Sequence, residues 1–300
     1  MSAWKKSGRL QVSTLAGALL AVSAFAAAGA EPLRHVALRG NLHAVVGGAG
    51  ANVTYSKGGD GLLFVDSGDR RDAAAVLDFA QASGEQPVRY LINTHAHPEQ
   101  TGGNERFGKA GAVIVAHEEV RSVLRGNMRG NNDDALPVFT LSELGSISFD
   151  FNDEMVEAFH VAPAHSPGNL IVHFPEANVI HIGELFSPTA YPSLAGGTVE
   201  AWIGALNSAV RLADFQTIVV PSHGPLSDRE GMIAYREMLI SVRERAIEAL
   251  DQGQTLEQFV AMSPTREFDA YYGDPSDPLF LPVIYEELSL RRQPAGEAGE

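Results

Sequence analysis

The chain contains no cysteine among its 300 residues. This absence excludes a disulfide framework, a zinc site built from thiolates and a cysteine nucleophile. Any metal ion would have to be held by histidine and by oxygen ligands. The chain has ten histidines, so such a site remains open to it.

Basic residues are also scarce, with 22 Lys and Arg against 37 Asp and Glu and a formal net charge of −15. Proteins bind phosphate backbones chiefly through Lys and Arg, so this balance predicts that nucleic acid is not a partner. Hydrophobic residues make up 45% of the chain and charged residues 20%, which is typical of a globular protein. The length is sufficient for a sizeable core.

Long hydrophobic runs are absent except near the start. Three basic residues precede an apolar, alanine-rich run over 15–28, and Ala28-Gly29-Ala30 has the form of a cleavage site. This pattern predicts a secretory signal peptide over residues 1–30, since the run is short for a membrane span of about 20 residues. We therefore expect a periplasmic or secreted protein without stable membrane insertion. Removing those 30 residues, with three basic and no acidic side chains, would bring the net charge from −15 to −18.

Strand and helix patterns alternate through the rest of the chain. Strands are predicted over 61–66, 88–92, 112–116, 147–151, 156–161, 170–174, 178–182 and 217–220, and helices over 72–82, 118–124, 202–212 and after an N-cap at Asp228. This mixture predicts an α/β fold of layered helices and sheets. Nothing marks a second domain, so we expect one domain over 31–252 and a helical or irregular extension over 253–300 packed on it.

Ligand-type side chains follow or connect several of these strands. His95 and His97 lie two residues apart in an extended stretch, so both imidazoles can face the same side. His165 lies in a loop between two strands, while Glu184 and His223 each follow a strand. Enzyme sites often lie on loops at such strand ends.

These segments, in this order, resemble the metallo-β-lactamase superfamily. The motif there is T-H-x-H-x-D-H-x-G-G, and this chain has Thr-His-Ala-His-Pro-Glu-Gln-Thr-Gly-Gly over 94–103, a variant H-x-H-x-E-Q motif. A loop histidine, a Gly-Glu pair at 183–184 and a His-Gly pair at 223–224 follow. The likeness extends over 63–225 and implies a four-layer αββα sandwich.

The resemblance also implies a metal centre. His95, His97 and His165 match the three histidines of the family's first metal site, where zinc lowers the pKa of bound water to about 7. His223 matches a histidine of the second site, and Glu184 stands where the family has a carboxylate that bridges both metals. One or two zinc ions are therefore expected.

Three residues depart from the family pattern. Glu99 and Gln100 replace an aspartate and a histidine, and Glu184 replaces an aspartate. Each glutamate carries its carboxylate about 1.5 Å further, and an amide oxygen is a poorer zinc ligand than imidazole. Three alternatives stay open: a shifted second zinc, a second site that takes Mn or Fe or stays empty, or a loss of catalysis.

Other residues receive supporting roles by the same resemblance. Glu99 is the candidate catalytic residue, which would orient water or relay a proton, besides being a candidate metal ligand together with Gln100. Asp66 is expected to support the site by hydrogen bonding. Tyr191, in a loop after Glu184, is a candidate substrate contact, although the interpretation that we favour is an aromatic residue at the edge of the fold.

The resulting expectation is a hydrolase in which metal-bound hydroxide attacks the carbonyl carbon of a small molecule, such as a lactam, a lactone or another ester. One alternative is a sulfur-oxidising oxidoreductase with a single iron held by His95, His165 and Glu184. The other is an exported metal- or ligand-binding protein without catalysis. The oligomeric state stays open.

Overall fold

The structure is a computed structural model that describes residues 31–127, 132–194 and 196–292. The predicted signal peptide over 1–30 lies outside the described residues. Within the described ranges, no helix combines the length and the apolar character that a membrane crossing requires.

The first sheet runs in chain order from one edge to the other. It contains β1 (Arg34–Ala37), β2 (Leu42–Val46), β3 (Val53–Gly58), β4 (Gly61–Val65), β5 (Val88–Ile92), β6 (Val113–His117) and β7 (Phe139–Leu141). The pairs from β1 to β4 are antiparallel, and those from β4 to β7 are parallel.

The second sheet has the order β12-β11-β10-β9-β8. It contains β8 (Ser146–Phe151), β9 (Glu154–His160), β10 (Leu170–Phe174), β11 (Val179–Gly183) and β12 (Ile218–Pro221). Its pairs are antiparallel except for β11 and β12, which are parallel.

The helices cover the outer faces of both sheets. They are α1 (Ala73–Gln81), α2 (Pro98–Thr101), α3 (Asn104–Lys109), α4 (Glu118–Asn127), α5 (Val199–Leu212), α6 (Arg229–Asp251), α7 (Leu256–Ala261), α8 (Asp269–Tyr272) and α9 (Leu281–Leu290), with a 3-10 turn at Asp133–Ala135. Asp228 caps α6 by accepting a hydrogen bond from the Gly231 N–H at 2.9 Å, which confirms the predicted N-cap.

Alternating side chains of β4 divide the interior into separate cores. Leu63 and Val65 enter the core between the two sheets, while Leu62 and Phe64 face α1 and α3 on the outside of the first sheet. A third core joins the second sheet to α5, α6, α7 and α9. Successive strand residues point to opposite faces, so strands that are buried on both faces form the two inner layers. The predicted αββα sandwich is confirmed.

The sequence does not predict β1, β2, β3 or β7. β1 and β7 have only four and three residues, and β3 carries the polar run Thr54, Ser56 and Lys57. Runs this short or this polar give little periodicity to detect, and their pairing depends on neighbouring strands.

Candidate metal centre

Parallel strands bring the predicted ligands to one edge of each sheet. β4 and β5 are parallel neighbours in the first sheet, so Asp66 and the segment with His95 leave the same edge. β11 and β12 are parallel neighbours in the second sheet, and Glu184 and His223 follow them. His165 comes from the loop between β9 and β10. The fold thereby gathers residues that are far apart in sequence.

The first cluster consists of His95, His97, His165 and Glu184, whose ligand atoms all lie within 4.8 Å of one another. His95 Nε2 is 3.0 Å from Glu184 Oε2, and His97 Nδ1 is 3.2 Å from His165 Nε2. His97 Nδ1 and His165 Nε2 are 3.7 and 3.6 Å from the same carboxylate oxygen. Tetrahedral zinc with bonds near 2 Å places its ligands about 3.3 Å apart, so the spacing suits one ion.

A buried nitrogen supports this fit. His95 is 1% exposed, and its Nε2 has no hydrogen-bond partner in the part of the chain that the structure describes, despite its approach to Glu184. A buried polar atom without a partner is costly. A divalent ion among the four side chains would supply the missing partner.

A chain of buried hydrogen bonds from Asp66 through Thr94 determines which ring nitrogen of His95 carries the proton. Thr94 donates its hydroxyl proton to Asp66 Oδ2 at 2.7 Å, so its Oγ1 accepts from His95 Nδ1 at 3.1 Å. Asp66 Oδ1 also accepts from the Thr94 N–H at 2.8 Å. This pattern puts the proton of His95 on Nδ1 and leaves the Nε2 lone pair free for a metal.

Contacts with Ser193 and Trp202 orient the ring of His165. Its Nδ1 donates to the Ser193 carbonyl at 3.0 Å, and the ring meets Trp202 edge-on with centroids 5.9 Å apart. Burial lowers the pKa of His165 to about 4, so the ring is neutral at pH 7 with Nε2 available as a ligand.

The carboxylate of Glu184 is ionised. Burial would raise its pKa, but the neighbouring imidazoles of His95 and His97 outweigh burial and hold the pKa well below its usual range. Hydrogen bonding to this carboxylate raises the pKa of His97 in turn. The cluster therefore offers a negative charge and imidazole nitrogens to a cation.

A second cluster consists of Glu99, Glu184 and His223. His223 Nε2 lies 3.0 Å from Glu99 Oε2 and 3.6 Å from Glu184 Oε1. Glu184 thus turns one oxygen to each cluster, which is the arrangement of a bridging carboxylate. The side chains of His223 and Glu99 are 38% and 46% exposed, so this cluster is far more open than the first.

Gln100 is buried beside the bridging carboxylate. Its Nε2 is 3.5 Å from Glu184 Oε2 and 3.3 Å from Ser222 Oγ. Its Oε1, the atom that a metal would need, is buried without a hydrogen-bond partner among the described residues. Gln100 is thus oriented as a hydrogen-bond donor to Glu184, and its role as a metal ligand stays a prediction.

Tyr191 lies against the C-terminal helices. Its hydroxyl donates to Asp269 Oδ1 at 2.8 Å and lies 3.3 Å from the Thr265 carbonyl. Its ring stacks on Phe280 with centroids 5.0 Å apart. These contacts account for both its polar and its apolar parts, and its predicted contact with substrate stays a prediction.

Sequence reasoning does not identify several residues that shape the site. Ser193 acts through a backbone carbonyl, which no side-chain pattern reveals. Trp202 lies on a buried face of α5 and resembles any core aromatic residue in sequence. His181, fully buried in β11, places Nε2 3.4 Å from Asp66 Oδ2 and pairs Nδ1 with Thr54 at 2.8 Å. The best sequence signal was that of Thr94, which belongs to the histidine motif.

The family assignment follows from comparison with known proteins. The model of the metallo-beta-lactamase superfamily matches residues 46–223, which include both clusters. This match covers more than half of the chain. The chain therefore belongs to the metallo-β-lactamase superfamily.

Individual relatives are distant. A metallo-beta-lactamase type 2 of Bacillus cereus is 25% identical over 173 residues, which are 56% of this chain and 65% of the relative. A hydroxyacylglutathione hydrolase of Erythrobacter litoralis is 22% identical over 189 residues, which are 59% of this chain and 69% of the relative. Among solved structures, a metallo-beta-lactamase from Pontibacter korlensis matches with a TM-score of 0.60 and 20% identity, over 70% of this chain and 99% of that one. The chain thus spans just under two thirds of the Bacillus relative.

Proposed function

We propose that this chain is a metal-dependent hydrolase of a small carbonyl or ester substrate, such as a lactam, a lactone or another ester. The observation that carries the proposal is the cluster of three imidazoles and a shared carboxylate around a buried, unpartnered His95 Nε2. Relatives named as a β-lactamase and as a hydroxyacylglutathione hydrolase support the same class of reaction.

The first cluster suits zinc. Imidazoles are ligands that zinc prefers, and the distances of 3.2 Å between His97 Nδ1 and His165 Nε2 and 3.0 Å between His95 Nε2 and Glu184 Oε2 are close to the spacing of tetrahedral ligands. A divalent ion bound there supplies a water of pKa about 7 and polarises a carbonyl oxygen. Thr94 and Ser193 fix the tautomers of His95 and His165, so both rings present Nε2.

The second cluster is richer in oxygen. Glu99 and Glu184 contribute carboxylates and His223 the one imidazole, while Gln100 is oriented as a hydrogen-bond donor. Carboxylate ligands suit harder ions, so we infer that this site takes Mn or Fe as readily as zinc and binds its ion more weakly than the first.

Glu99 is the residue that we assign to proton transfer. Its carboxylate borders both the second cluster and solvent, with Oε2 3.0 Å from His223 Nε2. Its carboxylate would take a proton from the attacking water and release it to solvent, while Glu184 stays ionised between the two clusters.

The position of His97 favours a hydrolase over the iron alternative. An iron centre held by His95, His165 and Glu184 would need open positions beside those three ligands. His97 Nδ1 instead lies 3.2 Å from His165 Nε2, inside the same cluster. The net charge and the predicted signal peptide further support an exported enzyme that acts on small molecules.

Metal analysis combined with ligand variants tests the proposal. We expect the purified chain to hold zinc and to hydrolyse at least one member of a panel of lactams, lactones and esters. His95→Ala and His165→Ala should each lower that rate about a hundredfold or more, because each removes a zinc ligand. His35→Ala, at an exposed histidine of β1, is the matched control and should retain the rate.

Other results of the metal analysis would support one of the alternative functions. One iron per chain with oxygen uptake would indicate the oxidoreductase, and a chain without bound metal would indicate a binding protein. An unchanged rate in both His95→Ala and His165→Ala would refute the catalytic assignment.

A further inference from the structure

We propose that the C-terminal helices position the metal ligand His165, and that Tyr191 is the positioning residue through which they do so. The inference rests on the proposed metal site and concerns residues outside it. It assigns a role to a segment that begins about 30 residues after the end of the family match at residue 223.

The first step is the contact between His165 and the segment that follows Glu184. His165 Nδ1 donates to the Ser193 carbonyl at 3.0 Å. Ser193 belongs to residues 185–194, which we call the 185–194 loop. The orientation of the His165 ring, and hence of its Nε2, depends on where this loop holds that carbonyl.

The second step is the attachment of the loop to the C-terminal segment on both sides of Ser193. The Leu194 N–H donates to the Leu279 carbonyl at 2.8 Å. Two residues before Ser193, the Tyr191 hydroxyl donates to Asp269 Oδ1 at 2.8 Å. The carbonyl that orients His165 is thereby held between two hydrogen bonds to residues 269–279.

The third step is the burial of this junction. Phe280 is fully buried, stacks on the Tyr191 ring and is the N-cap residue that precedes α9. Glu287 of α9 accepts from the Val199 N–H at 2.8 Å, at the start of α5. These hydrogen bonds are partly buried and lie beside the fully buried Phe280. Close packing around them favours a single geometry, so we infer that the loop and these helices move together.

The beginning of the loop is held separately. Trp202 Nε1 donates to the Leu185 carbonyl at 2.6 Å, directly after Glu184. Loss of the Tyr191 hydroxyl would therefore loosen the Ser193 end of the loop and leave the Glu184 end in place. The expected effect is on His165, and so on metal retention, more than on the fold.

The test compares Tyr191→Phe with Tyr271→Phe in the full chain. Both changes remove one hydroxyl, but Tyr271 is 72% exposed on α8. We expect Tyr191→Phe to lower the zinc affinity of the first site roughly threefold to tenfold in a chelator competition, somewhat less than the tenfold to hundredfold typical of direct partners of a ligand. Tyr271→Phe should match the wild type.

A second pair of variants separates positioning from general destabilisation. Asp269→Ala should reproduce the loss of zinc affinity, and Asp269→Asn, which keeps an acceptor oxygen, should restore most of it. Combining Tyr191→Phe with Asp269→Ala should add little, because both remove the same hydrogen bond. A purely structural role would lower the melting temperature and leave the zinc affinity of the folded protein unchanged.

The outcomes distinguish this inference from the proposed function. If the wild type binds no metal at His165, both are overturned. If the wild type binds zinc and Tyr191→Phe retains it equally well, only the positioning role is overturned, and the metal site stands.

Discussion

The hydroxyl of Thr94 connects the fully buried Asp66 carboxylate to His95, which we propose as a metal ligand. Asp66 has a φ of 62°, an uncommon conformation for a residue with a side chain, and both of its oxygens accept from Thr94. Backbone strain of this kind persists only where the surroundings require it. Here it places the carboxylate beneath His95.

Thr94→Val tests this relay because valine keeps the shape of threonine and removes its hydroxyl. We expect a tenfold to hundredfold loss of metal affinity, about the cost of losing a hydrogen bond to a metal-binding histidine. Leaving Asp66 short of a partner should also cost about 1–3 kcal/mol of unfolding free energy. Thr94→Ser, which keeps the hydroxyl, should lose much less of both, as measured by chelator competition and urea denaturation. Equal losses in the two variants would contradict the relay.

We expect Gln100 to influence which metal ion the second cluster binds, because its side chain lies beside the Glu184 carboxylate. Gln100→His would place an imidazole beside Glu184 and Ser222, where the amide now lies. We expect zinc affinity at the second site to rise roughly tenfold, because imidazole is the better zinc ligand. Titration of zinc into protein with the first site filled would measure this, with Gln81→His on α1 as a distant control. A Gln100→His variant whose second site still binds Mn as readily as zinc would show that Gln100 does not set the metal preference.

The sequence predicted the candidate ligands more completely than the residues that orient them. His95, His97, His165, Glu184 and His223 belong to short motifs at strand ends, and the structure brings them together. Their supports act through backbone carbonyls, packing or a partner distant in sequence. Asp66 was expected from the family resemblance, but the carbonyl of Ser193 and the packing of Trp202 leave no local pattern and become visible only in the folded chain.

At the scale of elements, two stacked histidines connect the sheets. His117 ends β6 in the first sheet and His160 ends β9 in the second, and their rings stack with centroids 4.0 Å apart. Each Nδ1 accepts a backbone N–H, from Glu119 and Leu144 respectively. His160 Nε2 also donates to the Pro167 carbonyl at 2.7 Å, in the loop that carries His165.

This pair makes stability depend on pH. Burial, with the charge of His160, lowers the pKa of His117, and a protonated ring could not accept from Glu119. The unfolded chain, with a histidine pKa of about 6.5, therefore binds more protons below that pH than the folded chain does. The contribution of neutral His117 to the free energy of unfolding is complete above about pH 6.5. It decreases as the pH falls towards the lowered pKa that His117 has in the folded chain.

His117→Asn should flatten that dependence, since the asparagine oxygen can accept the same N–H without titrating. Urea denaturation at pH 8 and at pH 5 should show a smaller loss of stability in the variant than in the wild type. The free energy of unfolding at pH 8 is the reference value for each protein. An identical loss in both proteins would exclude His117 as a source of the pH dependence.

Elements with strong local patterns were predictable, and edge elements were not. β5 and β10 were predicted with the bounds that they have, and β4 and β12 within a residue, because continuous apolar runs between turn residues are typical of buried strands. β1 and β3 lack such runs, and β2 is a five-residue run interrupted by His43. The position of these strands follows from their pairing with one another and of β3 with β4. Pairing across a sheet is a tertiary property that a single sequence does not display.

At the scale of the whole molecule, the C-terminal helices share a core with the second sheet. Phe259, Phe280 and Ile284 are fully buried in the same cluster as Ile180 and Val219 of the sheet. We propose that residues 253–292 belong to one folding unit with the residues before them. Their core contacts connect the outermost layer to the layer that carries Glu184 and His223.

A chain that ends at Gln252 should therefore not fold. Each buried phenylalanine contributes about 3–5 kcal/mol, so losing several large side chains removes an amount comparable to the total stability of about 5–15 kcal/mol. Circular dichroism and thermal melting would detect this. Phe280→Leu in the full chain is the graded control and should lower the melting temperature by a few degrees. Cooperative unfolding of the shortened chain at an unchanged temperature would identify the helices as a separate unit.

The edge-on contact of Trp202 with His165 has a consequence for the fluorescence of the protein. The chain has two tryptophans; Trp4 lies in the predicted signal peptide, and Trp202 is the only one within the described ranges. Its indole lies 5.9 Å, centroid to centroid, from a ring that we assign to the first metal. We therefore expect its fluorescence emission to change when a metal ion binds at His165, so that metal occupancy could be followed without an added label or a substrate.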